Sequence, residues 1–237
     1  MMTMQLAQHD IHLWSADLTL VLDEKKRLFL SPDEHERANR FHFPLHRQRF
    51  IVARNTLRLL LSLYLSIPPQ DIVFSYGKHH KPYLSTHPHL QFNLAHSHDV
   101  AVYAFTLDQA IGVDIEKIQN RYETNVAQRY FSPTEYQALL QLPEKERIMG
   151  FYRLWSRKEA LIKAIGKGLS LPLSSFSVSV NAELEAVNLE NNQWSLVSLP
   201  LLHPGYELAI ASQQLIKMIS YWHFVAQQPK LDKTYRF

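Results

Sequence analysis

Apolar and polar positions follow two different periodicities along the chain, and these periodicities define the predicted elements. Alternating or short continuous apolar runs predict strands, whereas apolar positions three and four residues apart predict helices. The predicted strands are 11–17, 71–76, 90–95, 100–106, 111–116, 175–180, 194–199, 206–211 and 217–224. The predicted helices are 32–40, 45–65, 133–140 and 145–165. Because strands and helices do not alternate regularly, the pattern predicts an α+β fold.

Two stretches of the chain look like copies of each other. Ser31-Pro32-Asp33-Glu34 and Ser132-Pro133-Thr134-Glu135 both combine an N-cap serine, a proline at the first helical position and a glutamate that closes a capping box. The same spacing superimposes Phe50 of one long helix on Phe151 of the other. The predicted divisions are two similar halves at 1–107 and 108–225 and a tail at 226–237. We expect a functional site between the halves.

Composition excludes several classes of protein. The 237 residues are 46% hydrophobic and 20% charged, which suits a folded core and not a disordered chain. The absence of cysteine excludes disulfides, thiolate nucleophiles and cysteine zinc sites. The first residues do not resemble a signal peptide, and the most apolar stretch, 57–67, is too short to span a bilayer. We therefore expect a cytoplasmic protein without a membrane partner.

Positive charge is concentrated in one segment, although the formal net charge is only +3. Residues 37–58 contain six arginines and no acid: Arg37, Arg40, Arg47, Arg49, Arg54 and Arg58. Such a block indicates an anionic ligand or an acidic partner, or else a solvated helix face. On a helical wheel Arg47, Arg54 and Arg58 form a stripe that we expect to be solvated. Arg49 lies opposite, on the apolar side, where it needs an acid or an anion.

Two carboxylates lie on one face of the predicted strand 111–116. Alternation places Gly112, Asp114 and Glu116 on the opposite face from the isoleucine and valine side chains. Adjacent carboxylates repel, and a pair of them suits Mg²⁺, with the glycine leaving room for a ligand. An exposed edge strand with solvated acids explains the pattern equally well.

The predicted helix 145–165 offers a second set of charged residues. Trp155, Glu159 and Lys163 are spaced four residues apart and therefore share a face, and Gly166 is placed to end the helix. Glu159 and Lys163 form either an ordinary helix-stabilising pair or a third carboxylate at a metal and a phosphate contact.

Six histidines fall within residues 79–98, but no convincing third ligand for zinc accompanies them. His96 follows a predicted strand and begins a turn, a suitable place for a phosphate contact. Ser97 has no nucleophile-elbow context, and the chain contains neither a P-loop nor a G-x-G-x-x-G sequence.

Together these segments resemble the 4′-phosphopantetheinyl transferases of the surfactin-synthetase-activating type. The matching segments are Lys81-Pro82, 92–97, 111–116, 131–136, 154–163 and 166–172, within about residues 31–180. The resemblance implies an α+β fold of two pseudo-symmetric halves, each a small sheet packed with helices, with the active site in the cleft between them. It also implies a monomer.

The resemblance implies roles for individual residues. Asp114, Glu116 and Glu159 correspond to the family's Mg²⁺-binding acids, and Glu159 also corresponds to its proposed base. Lys163 corresponds to a lysine near the reacting phosphate. Arg49, Lys81 and His96 correspond to coenzyme A contacts, and Arg37 to a residue that contacts the 3′-phosphate. Two positions depart from the family pattern. Glu34 replaces a lysine found in some relatives, and Ala95 replaces a serine that often precedes the histidine.

The implied reaction is transfer of 4′-phosphopantetheine from coenzyme A to a serine of an apo carrier protein, with release of 3′,5′-ADP. The implied partner is an acyl, peptidyl or polyketide carrier, an acidic helical bundle. Two alternatives explain parts of the sequence, a basic nucleic-acid-binding module and a Mg²⁺-dependent phosphohydrolase. Three carboxylates in one cleft would repel a nucleic-acid backbone, so we expect no nucleic-acid partner. A chain that only binds coenzyme A is a third alternative, disfavoured by the complete set of acids.

Overall fold

The computed structural model describes residues 4–20, 29–122, 124–200, 204–225 and 228–237. The helices in this part of the chain are α1 (Pro32–Asn39), α2 (Pro44–Leu65), α3 (Thr124–Tyr130), α4 (Pro133–Gln141) and α5 (Glu144–Ile165). The strands are β1 (Asp10–Asp17), β2 (Ser75–Tyr76), β3 (Pro82–Tyr83), β4 (Leu90–Ser97), β5 (Val100–Leu107), β6 (Ile111–Lys117), β7 (Leu184–Leu189), β8 (Asn192–Pro200), β9 (Tyr206–Ser212), β10 (Met218–Val225) and β11 (Gln228–Arg236). The predicted α+β class is confirmed.

Two main sheets lie between two long helices. The first sheet has the order β11-β10-β1-β5-β4, the second has the order β6-β9-β8-β7, and β2 pairs with β3. Apolar side chains of α2 pack on the first sheet and those of α5 on the second, while a third cluster fills the space between the sheets. The layers therefore run helix, sheet, sheet, helix.

The end of the chain returns to the first sheet. Strand β10 pairs in parallel with β1, and β11 pairs with β10. Most of the segment predicted as a tail is thus a strand, apart from residues 226 and 227, which lie outside the described residues. Residues 218–225, predicted with the C-terminal half, pair with β1 of the N-terminal segment and with β11.

Two predicted strands are wrong in whole or in part. The 71–76 segment forms a strand only at Ser75–Tyr76, after a short 3₁₀ turn. The 175–180 segment is irregular because carboxylates, not a strand, take its backbone N–H groups: Val178 N donates to Glu135 Oε1 at 2.8 Å and Ser179 N donates to Glu185 Oε1 at 2.9 Å. Helix α3 and strand β7 are elements that the apolar pattern did not predict.

The expected solvation of Arg54 and Arg58 is wrong. Both side chains are buried, Arg58 with only 1% exposed, and both form ion pairs with buried Glu34. Glu34 also accepts a hydrogen bond from Ser31 N at 2.9 Å, as the capping box predicts. Arg58 further donates to two backbone carbonyls. Arg54 and Arg58 are therefore buried because they neutralise Glu34, the buried glutamate that caps α1. Arg47 is exposed, as expected.

The second half contains the same device. Glu135 closes the capping box of α4 by accepting from Ser132 N at 2.7 Å, and its Oε2 lies 2.8 Å from Lys158 Nζ on α5. In both halves, a glutamate that caps a short helix thus meets a cation on the 22-residue helix that follows. The repeat predicted from the two capping boxes extends in this way to the buried charges beneath them.

None of the helices in the described part of the chain is long and apolar enough to cross a membrane.

Candidate active site

Strand β6 and helix α5 meet at the predicted acidic residues. The apolar side chains of Ile111, Val113 and Ile115 are buried between the sheets, so Asp114 and Glu116 point to the other face, towards α5. Gly112 makes this approach possible: a Cβ at this position would lie 2.1 Å from Ala160 O. The space that we expected this glycine to leave for a ligand is therefore filled by the backbone of α5.

Adjacent residues of α5 face in different directions. Lys163 Nζ lies 2.6 Å from Asp114 Oδ1, and Asp114 is only 4% exposed. Glu159, one turn before Lys163, is close enough to Asp114 and Lys163 for their charges to shift its pKa. Lys158, by contrast, is completely buried in the core on the other side. The structure thus brings together Asp114, Glu116, Glu159 and Lys163, as the sequence predicted.

Burial raises the pKa of each carboxyl group in this cluster, and repulsion from Asp114 adds to this effect at Glu116 and Glu159. Burial, followed by repulsion from Asp114, raises the pKa of Glu116 to about 7. The pKa values of Asp114 and Glu159 are raised mainly by burial, against the attraction of Lys163. Burial disfavours the charged form of Lys163, but the three acids outweigh it, and the pKa of Lys163 is raised. The single cation of Lys163 therefore does not offset the cost of ionising three buried carboxyl groups.

The donor set fits a hard divalent cation. Asp114 Oδ2 is buried and forms no well-aligned hydrogen bond among the described residues, although the Ser156 hydroxyl is near enough to Asp114 to lower its pKa. An acceptor of this kind, beside two further carboxylates, is the environment in which Mg²⁺ binds together with substrate phosphates. Within the described ranges no three His, Cys, Asp or Glu side chains stand close enough to form a ready-made metal cage. The ammonium of Lys163 is the cation that contacts Asp114 here.

Ser97 is a site residue that the sequence analysis missed. Its Oγ donates to Glu116 Oε2 at 3.0 Å and accepts from Lys117 N at 3.1 Å, so it fixes both the carboxylate and the strand that holds it. We had considered Ser97 only as a nucleophile. Its position at the end of β4, next to the predicted phosphate contact His96, was the available signal.

Arg49 and His96 lie beside the cluster. Arg49 meets the acid that its position on α2 required, with its Nη2 2.5 Å from Asp99 Oδ1. Its Nε is buried and lacks a partner in the described part of the chain. Desolvation, together with the charges of Lys163, Arg49 and His46, lowers the pKa of His96. The side chains beside the acidic cluster are therefore basic, but Asp99 pairs with Arg49 and the lowered pKa of His96 favours its neutral form.

The other two predicted coenzyme A contacts interact with other parts of the protein and not with the acidic side chains. Arg37 is exposed at the end of α1, and its guanidinium carbon lies 5.2 Å from the ring centroid of Phe50. Lys81 directs its ammonium not to the acids but to three backbone carbonyl groups. Its geometry gives no support to a phosphate contact.

Comparison with known proteins shows the family to which the chain is related. Residues 110–211 match the model of the 4′-phosphopantetheinyl transferase superfamily, and residues 23–107 match that of the 4′-phosphopantetheinyl transferase N-terminal region. The chain is 35% identical over 200 residues to the 4′-phosphopantetheinyl transferase HetI of Nostoc sp., covering 82% of this chain and 84% of that protein. It is 34% identical over 215 residues to the transferase Sfp of Bacillus subtilis, covering 86% and 95% of the two chains.

Proposed function

We propose, since the chain belongs to the 4′-phosphopantetheinyl transferase superfamily, that Asp114, Glu116 and Glu159 bind Mg²⁺ and that Lys163 contacts the reacting phosphate. The enzyme transfers the 4′-phosphopantetheine group of coenzyme A to a serine of a carrier protein. The matches reported above include neither a nucleic-acid-binding protein nor a phosphohydrolase, so those two alternatives have no support.

The observation that supports these roles best is the cluster itself. Three carboxyl groups with raised pKa values surround one lysine, and the buried Oδ2 of Asp114 forms no well-aligned hydrogen bond among the described residues, with only the Ser156 hydroxyl nearby. A purely structural cluster would be expected to pair its buried acceptors. Bound Mg²⁺ would neutralise charge on the pyrophosphate as the bond to the leaving group breaks.

Glu159 is the proposed base. It accepts the proton of the carrier serine hydroxyl, directly or through a water, while the serine oxygen bonds to the β-phosphorus of coenzyme A. The bond from that phosphorus to the bridging oxygen breaks, and 3′,5′-ADP leaves with the electron pair. The raised pKa of Glu159 makes its carboxylate a stronger base than an exposed glutamate. Lys163 offsets the negative charge that develops on the phosphoryl oxygens.

Three basic side chains, those of Arg49, His96 and Arg37, are proposed to hold the nucleotide. The buried Nε of Arg49 has no hydrogen-bond partner in the described part of the chain, and His96 lies close to Arg49, so both suit the phosphates of coenzyme A. Exposed Arg37 suits the 3′-phosphate. Glu34 does not weaken this set through its own charge, because Arg54 and Arg58 neutralise it.

The carrier protein is proposed to be an acidic acyl, peptidyl or polyketide carrier, attracted by exposed arginines such as Arg37 and Arg47. Action as a monomer in the cytoplasm stays a prediction.

We predict that Mg²⁺ raises the melting temperature of the protein more at pH 8 than at pH 6. Without metal, the pKa of Glu116 is about 7 in the folded protein, above its ordinary value of 4.5. The stability that its proton contributes is therefore fully present below about pH 4.5 and is lost as the pH rises through about 7. Mg²⁺ must displace that proton at pH 6, which weakens binding about tenfold relative to a deprotonated site.

Thermal unfolding with and without Mg²⁺ at the two pH values measures this effect. Glu144→Gln, an exposed change at the start of α5, is the matched control and should behave as the wild type. Equal shifts at both pH values, or the same shift in Asp114→Asn as in the wild type, would contradict the proposed metal site.

A further inference from the structure

We infer that Lys81 is a positioning residue, which holds the last turn of α5 against the start of β6 and so places Lys163 beside Asp114. The inference rests on the proposed role of Lys163. It replaces the coenzyme A contact that the family resemblance implied for Lys81.

The ammonium of Lys81 joins two elements of the site. Its Nζ donates to Ile111 O at 2.8 Å, to Lys163 O at 2.8 Å and to Ala164 O at 3.3 Å. An ammonium has three donors, and these three acceptors use all of them. No donor is left over for a phosphate, so the group acts on the protein backbone.

The bonds fall where α5 most needs them. The last four carbonyl groups of an α-helix have no partner within the helix, and Lys163 and Ala164 lie in the last turn, which ends at Ile165. A cation near a helix C-terminus is also favoured by the helix dipole. Gly166, in the left-handed region with φ of 79°, turns the chain away immediately afterwards. Lys81 therefore caps α5 from a distant part of the chain.

The same ammonium helps to bind the free edge of β6. Strand β6 is an edge of the second sheet, since it pairs only with β9 in that sheet. Side chains from the preceding half meet its outward backbone groups: Val113 N donates to Asn93 Oδ1 at 2.9 Å and Lys117 N donates to Ser97 Oγ at 3.1 Å. Lys81 does the same for the carbonyl of Ile111 and adds the bonds to α5.

Lys81 thus links the two backbone segments that carry Lys163 and Asp114. Lys163 supplies one of the bonded carbonyls itself, and Asp114 lies three residues along β6 from Ile111. The side-chain pair is 2.6 Å apart, so a small movement of the helix end would separate it. Misplacement of a reacting group by about 1 Å can cost about 10²-fold in rate.

The test is Lys81→Met, which keeps the length and the apolar stem but removes the three bonds. We expect kcat for carrier modification to fall about 10- to 100-fold, while KM for coenzyme A changes little. Lys78→Met is the matched control, because Lys78 belongs to the same β2–β3 connection and is exposed. A raised KM or Kd for coenzyme A with unchanged kcat would overturn the inference in favour of a substrate contact.

A double-mutant cycle with Lys163→Met separates positioning from a general loss of stability. If Lys81 acts through Lys163, Lys81→Met should slow the Lys163→Met enzyme little further. Fully additive losses would overturn the inference.

Amide hydrogen exchange tests the position of the α5 end without any measurement of enzyme activity, so its result does not depend on the proposed function. Amide hydrogen exchange at Gly166, whose N–H donates to Ile162 O, should be faster in Lys81→Met than in Lys78→Met. Unchanged exchange would contradict the inference even if the enzyme were active. A wild-type chain that modifies no carrier would instead count against the proposed function alone.

Discussion

Replacing Glu159 with glutamine is expected to lower the rate of carrier modification by about 10²- to 10⁴-fold, the usual contribution of a general base. Glutamine has nearly the same shape, but it cannot accept the serine proton and is a poorer metal ligand. The pKa of Glu159 is raised mainly by burial, so the folded protein gains nothing from its charge. We therefore expect the free energy of unfolding to stay the same or to increase. Intact-mass kinetics and denaturant unfolding measure the two quantities.

Glu146→Gln is the matched control for this change, since Glu146 is an exposed acid on the same helix. It should leave the rate unchanged and lower the stability by at most about 1 kcal/mol, because Glu146 lies in the first turn of α5. Modification by Glu159→Gln at the rate of the wild type would exclude Glu159 as the base.

Replacing the neighbouring Lys158 with methionine is expected to lower the free energy of unfolding by about 3–5 kcal/mol, whereas the change at Glu159 lowers the rate. Lys158 Nζ lies 2.8 Å from Glu135 Oε2 and donates to Leu173 O and Phe176 O, both at 2.7 Å. All of these groups are inside the second half of the chain, where water cannot replace the lost donor. Methionine fills the space of the stem but leaves a buried carboxylate without its cation.

Denaturant unfolding of Lys158→Met measures this loss, with exposed Lys145→Met on the same helix as the control. The molecules that remain folded should bind coenzyme A normally, because Lys158 faces away from the site. A loss below about 1 kcal/mol, the value of an exposed ion pair, would show that the buried pair matters less than its position indicates.

Adjacent residues of one sequence motif thus have separate tasks. Helical spacing was enough to predict that Glu159 and Lys163 share a face, and alternation in a strand was enough to place Asp114 and Glu116 together. Both periodicities are local, so the core of the candidate site could be predicted from the sequence. Lys158 showed no such signal, because its partner Glu135 lies on a different helix.

Tertiary contacts explain the predictions that were wrong. The helical wheel of α2 predicts that Arg54 and Arg58 face solvent, because it considers α2 alone. Glu34, on the preceding helix, pairs with both arginines. The 175–180 segment has a strand-like apolar pattern, yet Glu135 and Glu185 take its backbone donors. For Lys81, the contact with coenzyme A that the resemblance implies stays a prediction, and the backbone carbonyls that accept from its ammonium leave no trace in the sequence.

The measurement that tests the central claim most directly is the intact mass of an apo carrier protein after incubation with this enzyme, coenzyme A and Mg²⁺, with EDTA in a parallel reaction. We predict one phosphopantetheine increment on the carrier serine and its loss when EDTA is present. An increment that persists in EDTA would contradict the proposed metal site. Absence of any increment on acyl, peptidyl and polyketide carriers alike, with coenzyme A bound, would contradict the transfer itself.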